Sequence, residues 1–468
     1  MSDLKNKPVL VVGLGRRGAA ACELLRQVGA RVVVLDQADT PELRVTAAAL
    51  AAQGVEAHLG ADRPPGRDFA LAVLSPAVRN DSPIAAELAA RGIPVIGELE
   101  LGYQQARCLT LAVAGTNGKA TTGELIERML TGNQRSAVLC GHGARPVCAV
   151  AAGSSALDYL ILQVNAFQLE NTATFRPAIA VLLNLAADHR DRYPRAEDYA
   201  RVMARLFANQ QTFDWAIVQS EALARLRSAG LPLPAKLITF SAQNRRADLY
   251  LDRGRIFSRL PDWTWPLLDL GRCRLGGAHN AENLMAALAV GHILRLPLDA
   301  MADLLATQPA GAHRCERVGE VGGVTYINDS KATNVDALQR ALELAPGGAG
   351  EPNVWLIAGG VDKGLDFYEV GPLMSQRVKG AFLIGAAAEK LRAAWGLFTA
   401  CNLRGSLLEA VDAAAAVAVP GDVILLSPAC SSFDQFRNYQ HRGDVFRQAV
   451  AERMAAAGRP DENGTARP

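Results

Sequence analysis

The clearest chemistry in the chain lies in Ala114-Gly115-Thr116-Asn117-Gly118-Lys119-Ala120-Thr121-Thr122. Glycines let backbone N–H groups close around phosphate oxygens, a following helix N-terminus adds a positive dipole, and Lys119 supplies a point charge to the terminal phosphates. The apolar run 109–113 leads into this stretch, and 123–130 follows with apolar residues at helical spacing. The pattern is strand, glycine loop, helix, and it predicts a phosphate loop for a nucleoside triphosphate. A glycine turn into an ordinary helix is the plainer alternative, but Gly-Lys-x-Thr directly after a strand argues against it. One position departs from the pattern: where such loops place a Ser or Thr hydroxyl on Mg²⁺, this chain has Ala120.

A second glycine cluster, Gly13-Leu14-Gly15-Arg16-Arg17-Gly18, follows the apolar run 9–12. A helix over 19–28 and a strand over 31–35 ending in Asp36 complete a G-x-G-x-x-G fingerprint with its acid about 20 residues on. Alone it suits NAD, yet the same β-α-β unit binds other diphosphates, nucleotide-sugars among them. Arg16 and Arg17 are solvated charges by default, but inside the loop they lie where a diphosphate would pass. Runs 69–74 and 93–100 close a small Rossmann-like domain over residues 1–105.

Residues 106–310 are expected to form the phosphate-loop domain. Its further strands are 159–162, ending in Gln163-Val164-Asn165, and 178–185, ending in Ala186-Ala187-Asp188-His189. Ligands of a parallel sheet meet the carboxyl ends of its strands, so Gln163 and His189 should face bound phosphates. Residues 241–275, including Asp262-Trp263-Thr264-Trp265, alternate in polarity and read as a small β excursion. Gly277-Ala278-His279-Asn280-Ala281-Glu282-Asn283 opens a long Ala/Leu-rich helix.

From residue 311 to 468 a third α/β, Rossmann-like domain is expected. Three of its strands end in polar loops: Asn328-Asp329-Ser330-Lys331-Ala332-Thr333-Asn334, Val361-Asp362-Lys363-Gly364, and Ser427-Pro428-Ala429-Cys430-Ser431-Ser432. Asn334 suits the N-cap of a helix over 335–344. Such an edge would seat a second substrate. The polar tail from Gly458 reads as disordered. The fold class is thus α/β in three domains, with a mostly parallel P-loop sheet in the centre and Rossmann-like domains at either end.

Bulk properties exclude several classes. The chain has 468 residues with 49 basic and 47 acidic side chains, so its net charge of +2 gives no reason to expect nucleic acid or an anionic membrane as partner. Eight scattered cysteines include no C-x-x-C pair, which argues against a disulfide framework or a structural zinc. The N-terminal residues lack an apolar signal core, and no run approaches roughly 18 apolar residues, so a cytoplasmic location is expected.

Together, in order, the phosphate loop, Phe167-Gln168-Leu169-Glu170, Asp188-His189-Arg190-Asp191-Arg192-Tyr193, Gly277-Ala278-His279-Asn280, His313-Arg314, the 328–334 loop and Ser427-Pro428-Ala429-Cys430 resemble the Mur ligases of bacterial cell-wall synthesis, most closely those that add glutamate. The resemblance overrides NAD for the first domain. It implies an ATP-dependent ligase that activates the carboxylate of UDP-N-acetylmuramoyl-L-alanine as an acyl phosphate for attack by glutamate, with ATP and Mg²⁺ as cofactors and a monomer as the working form. By position Gly115, Thr116, Asn117, Gly118, Lys119, Thr121, Asn280, Asn283, Arg314 and Asp329 should bind ATP. Gly13, Leu14, Gly15, Arg16, Arg17, Asp36 and Asn165 should meet the UDP substrate. Thr333, Lys363, Ser432 and Tyr439 should hold glutamate, with Lys119, His189 and Lys331 catalytic and His189 ligating a metal.

The departures fall on that metal. Ala120 stands where the family has Ser or Thr, Gln163 where it has Glu, and Met203 where it has a carboxylated Lys. Asn165 replaces a serine that touches the muramoyl substrate, and His142 replaces an Asn in the preceding loop. Two readings follow: a working ligase with a rearranged metal site, with Thr121, His142 or Asp188 as substitute ligands, or an impaired relative that binds nucleotide or UDP-sugar without turnover. The resemblance leaves D- and L-glutamate both open.

Overall fold

Short strands, most of them apolar along their middle, build the first sheet. In the computed structural model, which describes residues 4–186, 188–263, 266–347 and 351–457, these are β1 (Pro8–Val12), β2 (Arg31–Asp36), β3 (Glu56–Leu59), β4 (Leu71–Leu74) and β5 (Val95–Gly97). They pair in the order β3-β2-β1-β4-β5, all parallel. A parallel sheet covered on both faces needs continuous apolar strands, and β1 and β4 meet that demand. The helix after β1 begins at Arg16, not Ala19, with Gly15 as its N-cap. Arg16 and Arg17 therefore occupy the first helical turn and not the loop. The reason is local: Gly13, at φ +95°, makes the turn alone, and a Cβ on Gly18 would lie 1.8 Å from the Gly13 carbonyl oxygen, so the helix packs directly on the turn. Within the run 93–100 only Val95–Gly97 is strand, and Glu98 opens the helix Glu98–Gln105. Strand β3 is at best half-buried and gave no period-2 signal.

The central sheet contains β6 (Leu109–Ala114), β7 (Ala137–Gly141), β8 (Tyr159–Gln163), β9 (Ile179–Leu182), β10 (Trp215–Gln219), β11 (Lys236–Ser241), β12 (Leu249–Asp252), β13 (Arg255–Ser258) and β14 (Pro266–Asp269). Among the described residues its order is β14-β13-β12-β11-β10-β9-β6-β8-β7. The strands from β7 to β12 run parallel, whereas β12-β13-β14 is an antiparallel meander. The excursion over 241–275 is thus an extension of this sheet, and Thr264 and Trp265 lie outside the described residues. The helix Ala278–Ile293 is buried along most of its length. Glu100, fully buried, accepts hydrogen bonds from the N–H groups of Ala173, Thr174 and Phe175, which anchors the helix Glu98–Gln105 to the central sheet.

The third sheet holds β15 (Glu316–Val321), β16 (Val324–Asn328), β17 (Val354–Gly359), β18 (Val378–Ile384), β19 (Ala400–Leu403) and β20 (Val423–Leu426). Its order is β15-β16-β20-β17-β18-β19, parallel except at the β15 edge. Asn334 caps the helix Val335–Leu344, its Oδ1 accepting from the Ala337 N–H at 2.9 Å. The tail from Gly458 lies outside the described residues. By contacts the chain forms two compact units: residues up to Leu185 with Glu197–Cys273 and Ala278–Gln308, and Ala186–Ala196 with Arg274–Gly277 and everything from Pro309. No helix among the described residues is long and apolar enough to cross a membrane.

Candidate active site

The phosphate loop leaves β6 through Gly115 at φ +146° and enters the helix Lys119–Gly132 through Gly118 at φ +87°. Both conformations favour glycine, and space demands it too: a Cβ on Gly118 would lie 2.4 Å from Asn283 Oδ1. Asn184, just past β9, clamps the loop. Its Oδ1 accepts from the Asn117 N–H at 2.9 Å, its Nδ2 donates to the Asn117 carbonyl at 3.1 Å, and its own carbonyl accepts from the Thr116 N–H at 3.2 Å. From the helix Ala278–Ile293, Asn283 Oδ1 accepts from Thr122 Oγ1 at 3.1 Å, and its Nδ2 donates to Asn280 Oδ1 at 3.2 Å. Lys119 Nζ donates to the carbonyls of Gly115 and Thr116 at 2.7 and 2.8 Å, so the ammonium sits over its own loop. Lys119, Asn280 and Asn283 are thereby brought together. Thr121 is half-buried on the same helix.

The positions expected to ligate metal are different. Ala120 offers no donor atom, Gln163 is 2% exposed at the end of β8, and Met203 is fully buried. Mg²⁺ prefers anionic oxygen, and a thioether is the wrong donor. No group of three His, Cys, Asp or Glu side chains that could hold a metal occurs among the described residues. These residues do not fit a metal held by protein carboxylates.

His189 does not end a strand: β9 stops at Leu182, and His189 lies well beyond it at φ +52°, in the segment that groups with the third sheet. Beside it Asp188 accepts from Lys363 Nζ at 2.8 Å and from Asn334 Nδ2 at 3.1 Å, and His189 Nε2 stands 3.7 Å away. Burial opposes the Asp188 charge, but the Lys363 ammonium and His189 outweigh it and hold the carboxyl below its ordinary value. Asp188, proposed from sequence as a substitute metal ligand, is engaged by a lysine, and Lys363 is engaged in turn.

The three polar loops of the third sheet converge on Arg442. This guanidinium, 1% exposed, donates to Ser330 Oγ at 3.0 Å, the Ser330 carbonyl at 2.8 Å, and the Gly359 and Cys430 carbonyls at 3.2 Å each. It joins the ends of β16, β17 and β20 through carbonyl and hydroxyl oxygens, and burial, only partly opposed by Cys430, Asp434 and Asp329, brings its pKa down to about 10. Lys331 Nζ lies 3.3 Å from Tyr439 Oη and 4.8 Å from that ring's centroid. Ser432 is buried and Thr333 half-buried in the same loops. Asp329 is buried, with Ser427 Oγ donating to Oδ2 at 3.0 Å and the Cys315 N–H to Oδ1 at 3.1 Å. Burial outweighs these bonds and raises its pKa to about 7. Arg314 is half-buried next to Cys315.

In the first sheet, Asp36 braces the Gly13 turn: Oδ2 accepts from the Leu14 N–H at 2.7 Å and Oδ1 from the Ala38 N–H at 2.9 Å. Arg16 is exposed, and Arg17 is half-buried, its pKa lowered by burial against the opposing pull of Glu98. Asn165 belongs to the central sheet, where it caps the short helix Ala166–Leu169 in a capping box with Gln168. Because Asn165 Oδ1 accepts the Gln168 N–H, its Nδ2 is the atom that meets His142 Nδ1 at 3.1 Å. His142 Nδ1 must then be the acceptor and the proton sits on Nε2.

Comparison with known proteins adds to this geometry. Residues 113–291 match the Mur ligase middle domain and residues 313–430 the Mur ligase glutamate ligase domain. A protein of Acidobacterium capsulatum named UDP-N-acetylmuramoylalanine–D-glutamate ligase is 40% identical, covering 97% of this chain and 98% of its own. One of the same name from Koribacter versatilis is 36% identical over 96% and 98%. The chain belongs to the Mur ligase family. The fold agrees: UDP-N-acetylmuramate-alanine ligase MurC of Thermotoga maritima superposes with a TM-score of 0.60 at 16% identity, covering 96% of this chain and 100% of that one.

For a Mur ligase, sequence reasoning missed Asn184, Tyr199 and Arg442. Asn184 was within reach as the first polar residue after an apolar strand. Tyr199, whose hydroxyl lies 3.2 Å from Thr116 Oγ1, and Arg442, inside a long helix, look like ordinary helical residues until the tertiary fold places them.

Proposed function

We infer that this chain is an ATP-dependent ligase that adds glutamate to UDP-N-acetylmuramoyl-L-alanine in peptidoglycan precursor synthesis. The observation that carries this is whole-length similarity to ligases of that name, on a chain that keeps a formed phosphate loop with Lys119 at its helix start. The substrate carboxylate attacks the γ-phosphorus of ATP, releasing ADP and leaving an acyl phosphate. The glutamate amine then attacks the acyl carbon, and the tetrahedral intermediate expels phosphate. Lys119 and the loop N–H groups meet the developing phosphate charge, while Asn280, Asn283, Arg314 and Asp329 hold the nucleotide. Gly13–Arg17 with Asp36 and Asn165 meet the UDP substrate. Thr333, Lys363, Ser432 and Tyr439 hold glutamate, and Lys331 and His189 act at the reacting centre. Ala120, Gln163 and Met203 offer Mg²⁺ no anionic protein ligand. Domains over 1–105, 106–310 and 311–468 divide these tasks, and the enzyme works as a cytoplasmic monomer.

ADP release from purified protein, with ATP, UDP-N-acetylmuramoyl-L-alanine and D-glutamate each omitted in turn, tests the assignment. Release that needs all three is expected. Nucleotide binding without release would overturn it in favour of a non-catalytic binder, and faster release with L-glutamate would correct the amino acid.

A further inference from the structure

A cavity of about 770 Å³ opens on the central sheet at the edge away from the phosphate loop. Leu109, Ala178 and Asp214 line it, and they stand at the amino ends of β6, β9 and β10, three neighbouring parallel strands. Ligands of the phosphate loop meet such a sheet at its carboxyl ends, so this is a separate place. From the cavity β6 runs six residues, roughly 20 Å, to the phosphate loop. Ala178 ties the strands together, its N–H donating to the Thr110 carbonyl and its carbonyl accepting from the Trp215 N–H, each at 2.9 Å. Tyr103, from the helix Glu98–Gln105, donates its hydroxyl to the Arg176 carbonyl at 3.2 Å, and its ring meets Phe175 in a T with centroids 5.1 Å apart. These contacts preform the wall, and the volume falls in the range of small-molecule sites.

The two charged groups of the lining decide what it takes. The Asp214 side chain, 4% exposed, accepts from Arg176 Nε at 2.8 Å, Arg176 Nη2 at 3.4 Å and the Gln211 N–H at 2.7 Å, so it is committed and does not call for a cation. Arg176 is 37% exposed and no described residue accepts from its Nη1, which leaves a donor edge for an anionic oxygen. Its guanidinium lies 4.8 Å from the Phe213 ring centroid, and Leu109, Ala106 and Ala178 add apolar lining. We propose that this cavity is a second ligand site, taking a small carboxylic acid with an apolar aromatic body and acting on the phosphate loop through β6 and β9. The binding stands apart from the ATP-dependent reading above, and the coupling rests on it. The route is short: β6 ends where the phosphate loop begins, and β9 ends two residues before Asn184, which clamps that loop. A ligand there shifts the loop to the extent that it binds one of the loop's states more tightly than another.

The test is calorimetric titration of the full chain with 2-naphthoate and with its uncharged counterpart, 2-naphthalenemethanol. One site is expected, about tenfold tighter for the acid than for the alcohol. Saturation with the non-hydrolysable analogue AMP-PNP should keep that site and shift its affinity about threefold, with the same factor when the order of addition is reversed. Ala106→Trp, checked for a native thermal melt, should fill the cavity and abolish binding of both probes. Leu109→Glu, at a position already 57% exposed, should weaken the acid about fivefold and spare the alcohol. Acid that AMP-PNP displaces, or that binds Ala106→Trp as tightly as the native chain, overturns the site. Equal affinities for acid and alcohol overturn the part given to Arg176, and an affinity that AMP-PNP leaves unchanged overturns the coupling. A chain that takes the acid but not AMP-PNP would uphold the site and sink the ATP-dependent reading together with the coupling.

Discussion

The phosphate-loop region and the loop cluster of the third sheet both order loops at strand ends, in opposite ways. Around the phosphate loop the order comes from backbone and amides: Asn184, Asn283 and the glycines shape it, and the nearby positions 120, 163 and 203 are neutral. In the third sheet the order comes from buried charge, with Arg442 tying three loops together and Asp188 paired with Lys363. The difference teaches that neutral groups at positions 120, 163 and 203 coexist with buried ion pairing around the third sheet's loops.

The largest effect should come from removing the Lys119 ammonium from the phosphate loop. Lys119→Ala should cut ADP release by about 10³-fold, as expected when a principal electrostatic contact is lost, with an unchanged thermal melt. Met203→Lys probes the neutral half from within. A lysine at this fully buried position should cost about 3 kcal/mol in urea denaturation, and a stable variant would show that the site is wetter than its burial implies. Arg442→Met would strand the acceptors on Ser330, Gly359 and Cys430. It should destabilise the third sheet's unit by about 2–3 kcal/mol and raise the KM for glutamate.

Asp329 gives a pH-dependent test. Its carboxyl titrates at about 7 in the fold against an ordinary 3.8. The folded state therefore keeps a proton that the unfolded chain has released, so the stability held by the neutral acid is complete below about 3.8 and drains away as pH rises through about 7. Asp329→Asn should flatten that decline, which denaturation at pH 4 to 8 would reveal; a parallel decline in the variant would remove Asp329 as its source. The smallest effect should come from Asn165→Ser. It keeps an N-cap oxygen but loses the His142 contact, and should change stability by less than about 1 kcal/mol.

Local pattern settled much of this protein. Apolar runs bounded by glycine specify parallel strands, since both faces of such a sheet are covered, and β6, β16 and β20 fall where those runs lie. Glycine spacing before Lys119 specifies the phosphate loop, because only glycine tolerates φ +87° with Asn283 against it. Asn334 announces its helix because an N-cap is a contact within four residues. Short-range causes of this kind are written in neighbouring residues.

What only the tertiary structure decided are matters of distant partners. Whether Arg442 is a solvated helix charge or a buried clamp depends on carbonyls at residues 330, 359 and 430. Whether Asp188 is free to take a metal depends on Lys363, 175 residues away. Gln163 is the same amide in any context, and its burial at the end of β8, beside the start of the phosphate loop, exists only because β8 is paired with β6. Sequence carries the conformational preferences of each residue, but burial and electrostatic pairing arise when remote segments meet, and the chemistry of these sites is set by those two quantities.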